Sequence, residues 1–444
     1  MSEAHSKVLM LCYNYSPMIT GGVERSVKLA KYIPRFGWEP VILTTKRFGS
    51  EPGSFGETIV RTPEPRLGLG GSSRKGRKSK KEPGPEIQSH RRGALRGLGR
   101  SLAGWAGRRV MIPDDKIRWA LAAYMPARRL MRREGIDVIY SSSPPASAHL
   151  LGMWLKSYSG KPLILDLRDP WTFEPLNRYL NEDERRRDRE MKLERQCFER
   201  ADLIVINTPE AAERYGEIYP EFASKMQVIT NGFDGEELSL AERERVNGPL
   251  QEIDSSVFVI SHTGSFSRHT DRDISPEPLL IALSELLKHG TLDPARHRVV
   301  FAGVTGPIFK SRIDQLGLAD LVDLTGTVSH IDAMRIIKRS NLLLLYDRSE
   351  RAEYYVRGKL YEYLGAGKRI LGIIPPGAAR RLLESSGFGI FALPGSSEDI
   401  ARALAEALDA RDDPVPAPGF DLGIYDRKRI AERMAEYLDR LTGR

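Results

Sequence analysis

Two glycines, Gly21 and Gly22, stand between the apolar run Lys7–Cys12 and a helical pattern, so a strand end meets a helix start with no Cβ in the way. The backbone there can come close to a ligand, and the first N–H groups of the helix have no intrahelical partner and carry partial positive charge. The chemistry that suits such a place is anion binding, most naturally of a phosphate; the plainer use of a glycine pair is a tight turn. A second glycine turn, His262-Thr263-Gly264, also follows an apolar run, and Arg268 and Arg272 lie just beyond it. These two arginines are candidate diphosphate partners or ordinary solvated loop charges. Lys359 and Glu362 sit one helical turn apart in the stretch Lys359–Lys368. They offer a cation for phosphate and a carboxylate for two neighbouring hydroxyls, or else only an exposed helix pair.

Two polar clusters end neighbouring strands. Ser141-Ser142-Ser143-Pro144-Pro145 closes one, with His149 four residues on, and Asp166-Leu167-Arg168-Asp169-Pro170-Trp171 closes the next. Strand ends of a parallel sheet face the ligand crevice. Arg168, Asp169 and His149 are therefore the candidate catalytic residues on the acceptor side, although a lone histidine more often packs on its own helix.

Positioning these groups requires an α/β architecture. Short apolar runs alternate with helical patterns, the signature of parallel sheets covered by helices. The spacing predicts strands at 7–12, 39–45, 57–62, 137–142, 162–167, 202–206 and 226–229, and again at 256–262, 297–302, 321–325, 341–346, 369–374 and 388–392. Two doubly wound Rossmann-like domains in succession leave a cleft between their strand ends. The expected division is 1–235 and 254–422, joined through Asn231-Gly232-Phe233-Asp234, with a terminal segment 423–444 whose last helix shows Ile430, Met434, Leu438 and Leu441 on one face.

The segment Asn14–Pro17, Gly21–Arg25, Leu29-Ala30, Phe36-Gly37 and the strand Pro40–Thr44 closely resembles the amino-terminal signature of family 4 glycosyltransferases, and the stretch 356–374 resembles that family's second motif. The resemblance implies the GT-B arrangement and transfer of a sugar from a nucleotide-diphosphate donor, with retained anomeric configuration and no metal or other cofactor. It places the backbone amides of Gly21, Gly22 and Gly264 at the diphosphate, with Arg268, Arg272 or Lys359 as its cations. Glu362 falls where the family's second glutamate meets the ribose hydroxyls. At the first glutamate position this chain has Tyr354, with Glu353 one residue off register. The resemblance further implies that the terminal helix crosses back to the first domain, and that the acceptor is a lipid-linked saccharide in bacterial polysaccharide or cell-envelope synthesis.

The chain has a formal charge of +9, and residues 66–109 alone carry thirteen Lys or Arg against two Glu. The rest is close to neutral. Within that basic insertion, which lacks core patterning, Arg92, Arg96 and Arg100 fall opposite Leu95, Leu98, Leu102 and Trp105. A helix that is basic on one face and apolar with tryptophan on the other suits an anionic membrane surface. Five glycines there oppose a helix in water, at about 1 kcal/mol each, so membrane contact would have to induce it. No aromatic residue interleaves the basic run 74–81, which argues against a nucleic-acid partner. No signal peptide or membrane-spanning run is expected, which implies a cytoplasmic protein attached peripherally to the inner face of the membrane. Cys12 and Cys197 suggest neither a disulfide nor a zinc site. Two other readings stay open: a sugar-nucleotide 2-epimerase, and a catalytically inactive binding scaffold.

Overall fold

The computed structural model describes residues 6–18, 21–65, 111–175, 180, 183–243, 250, 253–264, 276–303, 307–347, 352–410 and 414–444. The expected membrane residues Arg92, Arg96, Arg100 and Trp105 and the expected diphosphate residues Arg268 and Arg272 lie outside the described residues.

In the first half, chain order runs β1 (Ser6–Cys12), α1 (Gly21–Tyr32), β2 (Trp38–Thr45), β3 (Thr58–Thr62), α2 (Ile117–Glu134), β4 (Val138–Ser143), α3 (Ser147–Ser159), β5 (Leu163–Leu167), α4 (Glu184–Arg200), β6 (Leu203–Ile206), α5 (Pro209–Ile218) and β7 (Met226–Val228). The second half runs α6 (Gly235–Arg243), β8 (Phe258–Thr263), α7 (Glu277–Lys288), β9 (His297–Ala302), α8 (Pro307–Gln315), β10 (Val322–Gly326), α9 (His330–Arg339), β11 (Leu342–Tyr346), α10 (Gly358–Ala366), β12 (Arg369–Ile373), α11 (Ala378–Ser386), β13 (Gly389–Ala392), α12 (Ser397–Asp409) and α13 (Arg427–Thr442).

These strands form two sheets, ordered β3-β2-β1-β4-β5-β6-β7 and β10-β9-β8-β11-β12-β13. The paired strands are parallel throughout, with Leu9 opposite both Val41 and Ile139 in the first sheet and Ser261 opposite Val300 and Leu343 in the second. Parallel strands covered on both faces read as continuous apolar runs, which is why Leu163–Leu167 and Leu342–Tyr346 are buried along their length. This is the α/β architecture of two Rossmann-like lobes. In each sheet the order reverses at a central pair, β1 with β4 and β8 with β11, which places both glycine turns at a switch point.

The two sheets present their carboxyl ends to each other. Tyr354, beyond β11, sets its ring against Phe173, beyond β5, at a centroid distance of 5.1 Å. Its carbonyl accepts from the Thr208 hydroxyl beyond β6 at 3.0 Å. Arg381 of α11 pairs with Glu210 of α5 at 2.7 Å. The lobes also meet at a crossing of two connecting segments, where Phe233 N donates to Tyr425 O and Arg427 N donates to Phe233 O, each at 2.9 Å. A Cβ on Gly232 would stand 2.0 Å from Tyr425 O, so only glycine permits this crossing.

From there α13 runs back over the first lobe. Ile430, Ala431, Met434, Ala435 and Leu438 are buried against Val8, Met10, Tyr32 and Ile42, and Trp38 Nε1 donates to Asp439 at 2.9 Å. The polar connection after residue 234 is not all linker: α6 buries Leu238 and Ala241 in the core of the second lobe, beside Ile337 and Leu343.

Candidate functional site

In the first lobe α1 begins at Gly21, so its leading N–H groups point out of the β1 switch point. Arg168, just beyond β5, lies across this turn: a Cβ on Gly22 would be 2.2 Å from its Nη1. The guanidinium is held from behind, Nε donating to Ser143 O at 2.8 Å and Nη2 to Pro144 O at 3.0 Å. Arg168 is 8 % exposed, and no carboxylate pairs with it among the described residues. Asp166, whose carboxyl feels the Arg168 charge, is bound by another partner. Arg25 clasps it through Nε at 2.8 Å and Nη2 at 2.7 Å, while Arg25 Nη1 donates to Thr230 O. Burial pushes the Asp166 carboxyl up, but Arg25 outweighs it and holds the group below its ordinary value. Arg25 is therefore a buried tie between α1 and the sheet, and Arg168 is the buried cation left to face an anion.

The second lobe repeats the arrangement. Gly264 has φ +133°, and a Cβ there would be 2.3 Å from Lys359 Nζ. The ammonium donates to Thr263 O at 2.5 Å and lies 3.4 Å from His262 Nε2. His262 Nδ1 is 2.8 Å from Leu344 O; burial first, then Lys359, drives this histidine well below its ordinary value. A neutral ring with its proton on Nδ1 leaves the Nε2 lone pair toward Lys359. Burial, then Arg357, brings Lys359 down to about 8. Arg357 itself is paired with Asp347, its Nη2 at 2.9 Å. The expected amide contact from Gly264 needs correcting, because its N–H donates to Ala302 O at 2.7 Å. Gly264 contributes room for the Lys359 ammonium, not a donor.

Glu362 stands one turn along α10 from Lys359, half-buried and without a hydrogen-bond partner among the described residues. Burial raises its carboxyl, opposed by the charges of His330, Lys359 and Arg427, while Glu24 of the first lobe adds to the rise. Its field thus reaches across the gap to α1. His330, at the start of α9, bonds Glu237 at 3.2 Å, and Lys28 of α1 binds both Glu237 and, at 3.0 Å, Asp234.

The acceptor side differs from the sequence expectation in one residue. His149 is completely buried, with Nδ1 2.8 Å from the Ser141 hydroxyl and its ring tilted against Trp171. Burial lowers it to about 4. In this structure the ring is neutral and packed inside the lobe on Ser141 and Trp171, not open to the cleft where the catalytic assignment would need it. Asp169 follows Arg168 at the β5 end and is half-buried. The loop beyond is fixed by acids of α4 that the sequence reading did not single out. Trp171 Nε1 donates to Glu190 at 3.0 Å, and Glu194 accepts from Thr172 at 2.5 Å and from Tyr215 and Tyr219, each at 2.9 Å. Burial pushes Glu194 up to about 7. Acids on a helix whose outer face is strongly charged give no sequence signal of facing inward.

Residues 92–237 match the model of Glycosyltransferase Family 4. No curated protein sequence matches the chain. Among solved structures, the Anabaena protein HepE in complex with UDP and glucose is similar over 98 % of this chain and 100 % of its own, with a TM-score of 0.58 and 16 % identity. A glycosyltransferase from Rickettsia africae is similar over 99 % of both chains, with a TM-score of 0.60 and 14 % identity. A putative UDP-N-acetylglucosamine 2-epimerase from Listeria monocytogenes is similar over 98 % of this chain and 96 % of its own, with a TM-score of 0.58 and 11 % identity. The fold is GT-B, and the resemblance to family 4 glycosyltransferases read in the sequence is shown.

Proposed function

We propose that this GT-B chain, similar to family 4 glycosyltransferases, is itself a glycosyltransferase that moves a sugar from a nucleoside-diphosphate donor to a lipid-linked saccharide. The observation that carries the reading is the doubled motif in the cleft. Each switch point has a glycine turn covered by a cation that has no carboxylate partner among the described residues, Gly22 under Arg168 and Gly264 under Lys359. Departure of the sugar puts negative charge on the leaving diphosphate. Cations fixed in a partly dry cleft, together with the α1 N-terminus, stabilise that charge as it develops. In this reading no metal is required. Glu362 accepts from the ribose hydroxyls. The family resemblance implies retention at the anomeric carbon. Closure of the lobes excludes water from the donor.

The acceptor assignment draws on the basic insertion, which suits the anionic inner face of a cell membrane and a polysaccharide or cell-envelope pathway. Among the described residues no helix is long and apolar enough to cross a membrane. A thermal-shift screen against UDP-, GDP- and dTDP-sugars tests the donor reading: one base should stabilise the protein, and a flat response to all three removes it. The similarity to the Listeria structure favours a second reading, a UDP-sugar 2-epimerase. That enzyme would convert a UDP-sugar with no acceptor present, which a transferase does not. Docking of Tyr354 on Phe173, in place of a free carboxylate, favours an inactive scaffold; sugar-nucleotide binding with no transfer to any extract lipid would support it.

A further inference from the structure

Helix α2 buries one side in the first lobe through Trp119, Ala120, Ala123, Ala127, Leu130 and Met131. Its opposite side is not uniformly polar, as a face turned only to water would be. Leu121 is 61 % exposed and Met125 48 %, one turn apart. Around this apolar pair stand Arg118, Arg128, Arg129 and Arg132, which helical spacing places on the same face. None of the four has a carboxylate partner among the described residues; only Arg133 does, through Glu134 at 2.8 Å. Two of them are braced without being neutralised. Arg128 lies 3.8 Å from the centre of the Tyr158 ring, and Arg132 Nε donates to the Tyr158 hydroxyl at 2.7 Å.

We propose that this face of α2 rests on an anionic lipid bilayer, its arginines against head-group phosphates and Leu121 and Met125 in the apolar boundary beneath them. The charge is complementary to such a surface, and the apolar pair chooses between phosphate-bearing partners. Nucleic acid rewards the arginines alone, whereas a bilayer rewards both. In sequence the helix follows closely on residues 66–109, the most basic stretch of the chain. The inference deepens the membrane part of the proposed function and names a preformed surface for it. Its test uses no sugar transfer, so it stands or falls apart from the donor reading.

The test uses the full chain with vesicles of phosphatidylcholine, alone or mixed with phosphatidylglycerol. Both native cysteines are buried, so a Met125→Cys variant takes an environment-sensitive dye at one place, and Val415→Cys, 79 % exposed, serves as the control. The dye at 125 should brighten and shift to the blue with anionic vesicles only, while the dye at 415 does not respond. Leu121→Ser with Met125→Ser, and separately Arg129→Glu with Arg132→Glu, should each lower vesicle affinity by at least roughly tenfold, the charge reversal by more, since each interfacial arginine contributes about 1 kcal/mol. Unchanged thermal unfolding would show that the fold is intact. A silent dye at 125, an equal response at 415, or wild-type affinity in the Leu121/Met125 variant would overturn the proposal, as would an arginine-dependent preference for RNA over vesicles.

Discussion

The guanidinium of Arg168 lies so close over Gly22 that a Cβ at that position would stand 2.2 Å from Nη1. The contact joins the end of β5 to the start of α1 and puts the cation beside the leading amides of the helix. Gly22→Ala meets only the far end of a flexible side chain, so Arg168 shifts and the fold survives. The expected outcome is an unchanged unfolding temperature with weakened sugar-nucleotide binding, followed by calorimetric titration. Wild-type affinity in this variant would show that Arg168 and the turn do not act together.

Lys359 gives a pH signature. Its ammonium is brought down to about 8, so in the free protein it loses charge as pH rises through that value, and a bound diphosphate raises it again. Donor affinity should therefore fall above pH 8, and binding near pH 8.5 should take up protons, read as a dependence of the binding heat on buffer ionisation. Lys359→Met should bind weakly at every pH and show no such uptake.

Glu362 has no hydrogen-bond partner among the described residues, so its removal costs the fold little. Glu362→Ala should lose about 1.5–3 kcal/mol of nucleotide affinity, the range for hydrogen bonds to a charged group. Titration with nucleotide measures it, and undiminished affinity would count against the ribose contact.

Glu194 links pH to stability. Its folded value, pushed up to about 7 by burial, lies above its ordinary value of 4.5. The folded state thus holds the proton more tightly than the unfolded one. The stabilisation is fully present below pH 4.5 and is lost as pH rises through 7. Denaturant unfolding should show wild-type stability falling across that window by at most about 3 kcal/mol. Glu194→Gln should lack that component, and parallel pH profiles for the two proteins would refute the assignment.

Tyr354 stands where the family resemblance puts a glutamate, yet its ring packs across the cleft on Phe173. Tyr354→Ala should loosen the contact between lobes, at a cost of about 1–2 kcal/mol for a half-buried aromatic ring, while leaving nucleotide affinity unchanged. Loss of affinity together with stability would make the residue part of the donor site.

The elements were largely legible in the sequence because buried parallel strands and amphipathic helices announce themselves locally. The strand 297–302 lies where the pattern predicts it, and the strand predicted at 341–346 is formed by Leu342–Tyr346. The side-chain chemistry was legible only where it stays local. Lys359 and Glu362 share one helix and one surface. By contrast, the burial of His149 depends on Ser141 and Trp171, and the role of Arg25 depends on Asp166, 141 residues away. The Gly264 amide was misjudged because its acceptor, Ala302, comes from the neighbouring strand β9. Such pairings follow from strand order, which local periodicity does not encode.

The central claim is that Arg168 and Lys359, one from each lobe, hold the diphosphate of the donor. Calorimetric titration of UDP into the wild-type chain and into Arg168→Gln/Lys359→Met tests it most directly. The account predicts a loss of roughly a hundredfold or more in the double variant, two charge-assisted contacts at about 1.5–3 kcal/mol each, with an unchanged unfolding temperature. Equal affinity in the two proteins would contradict it.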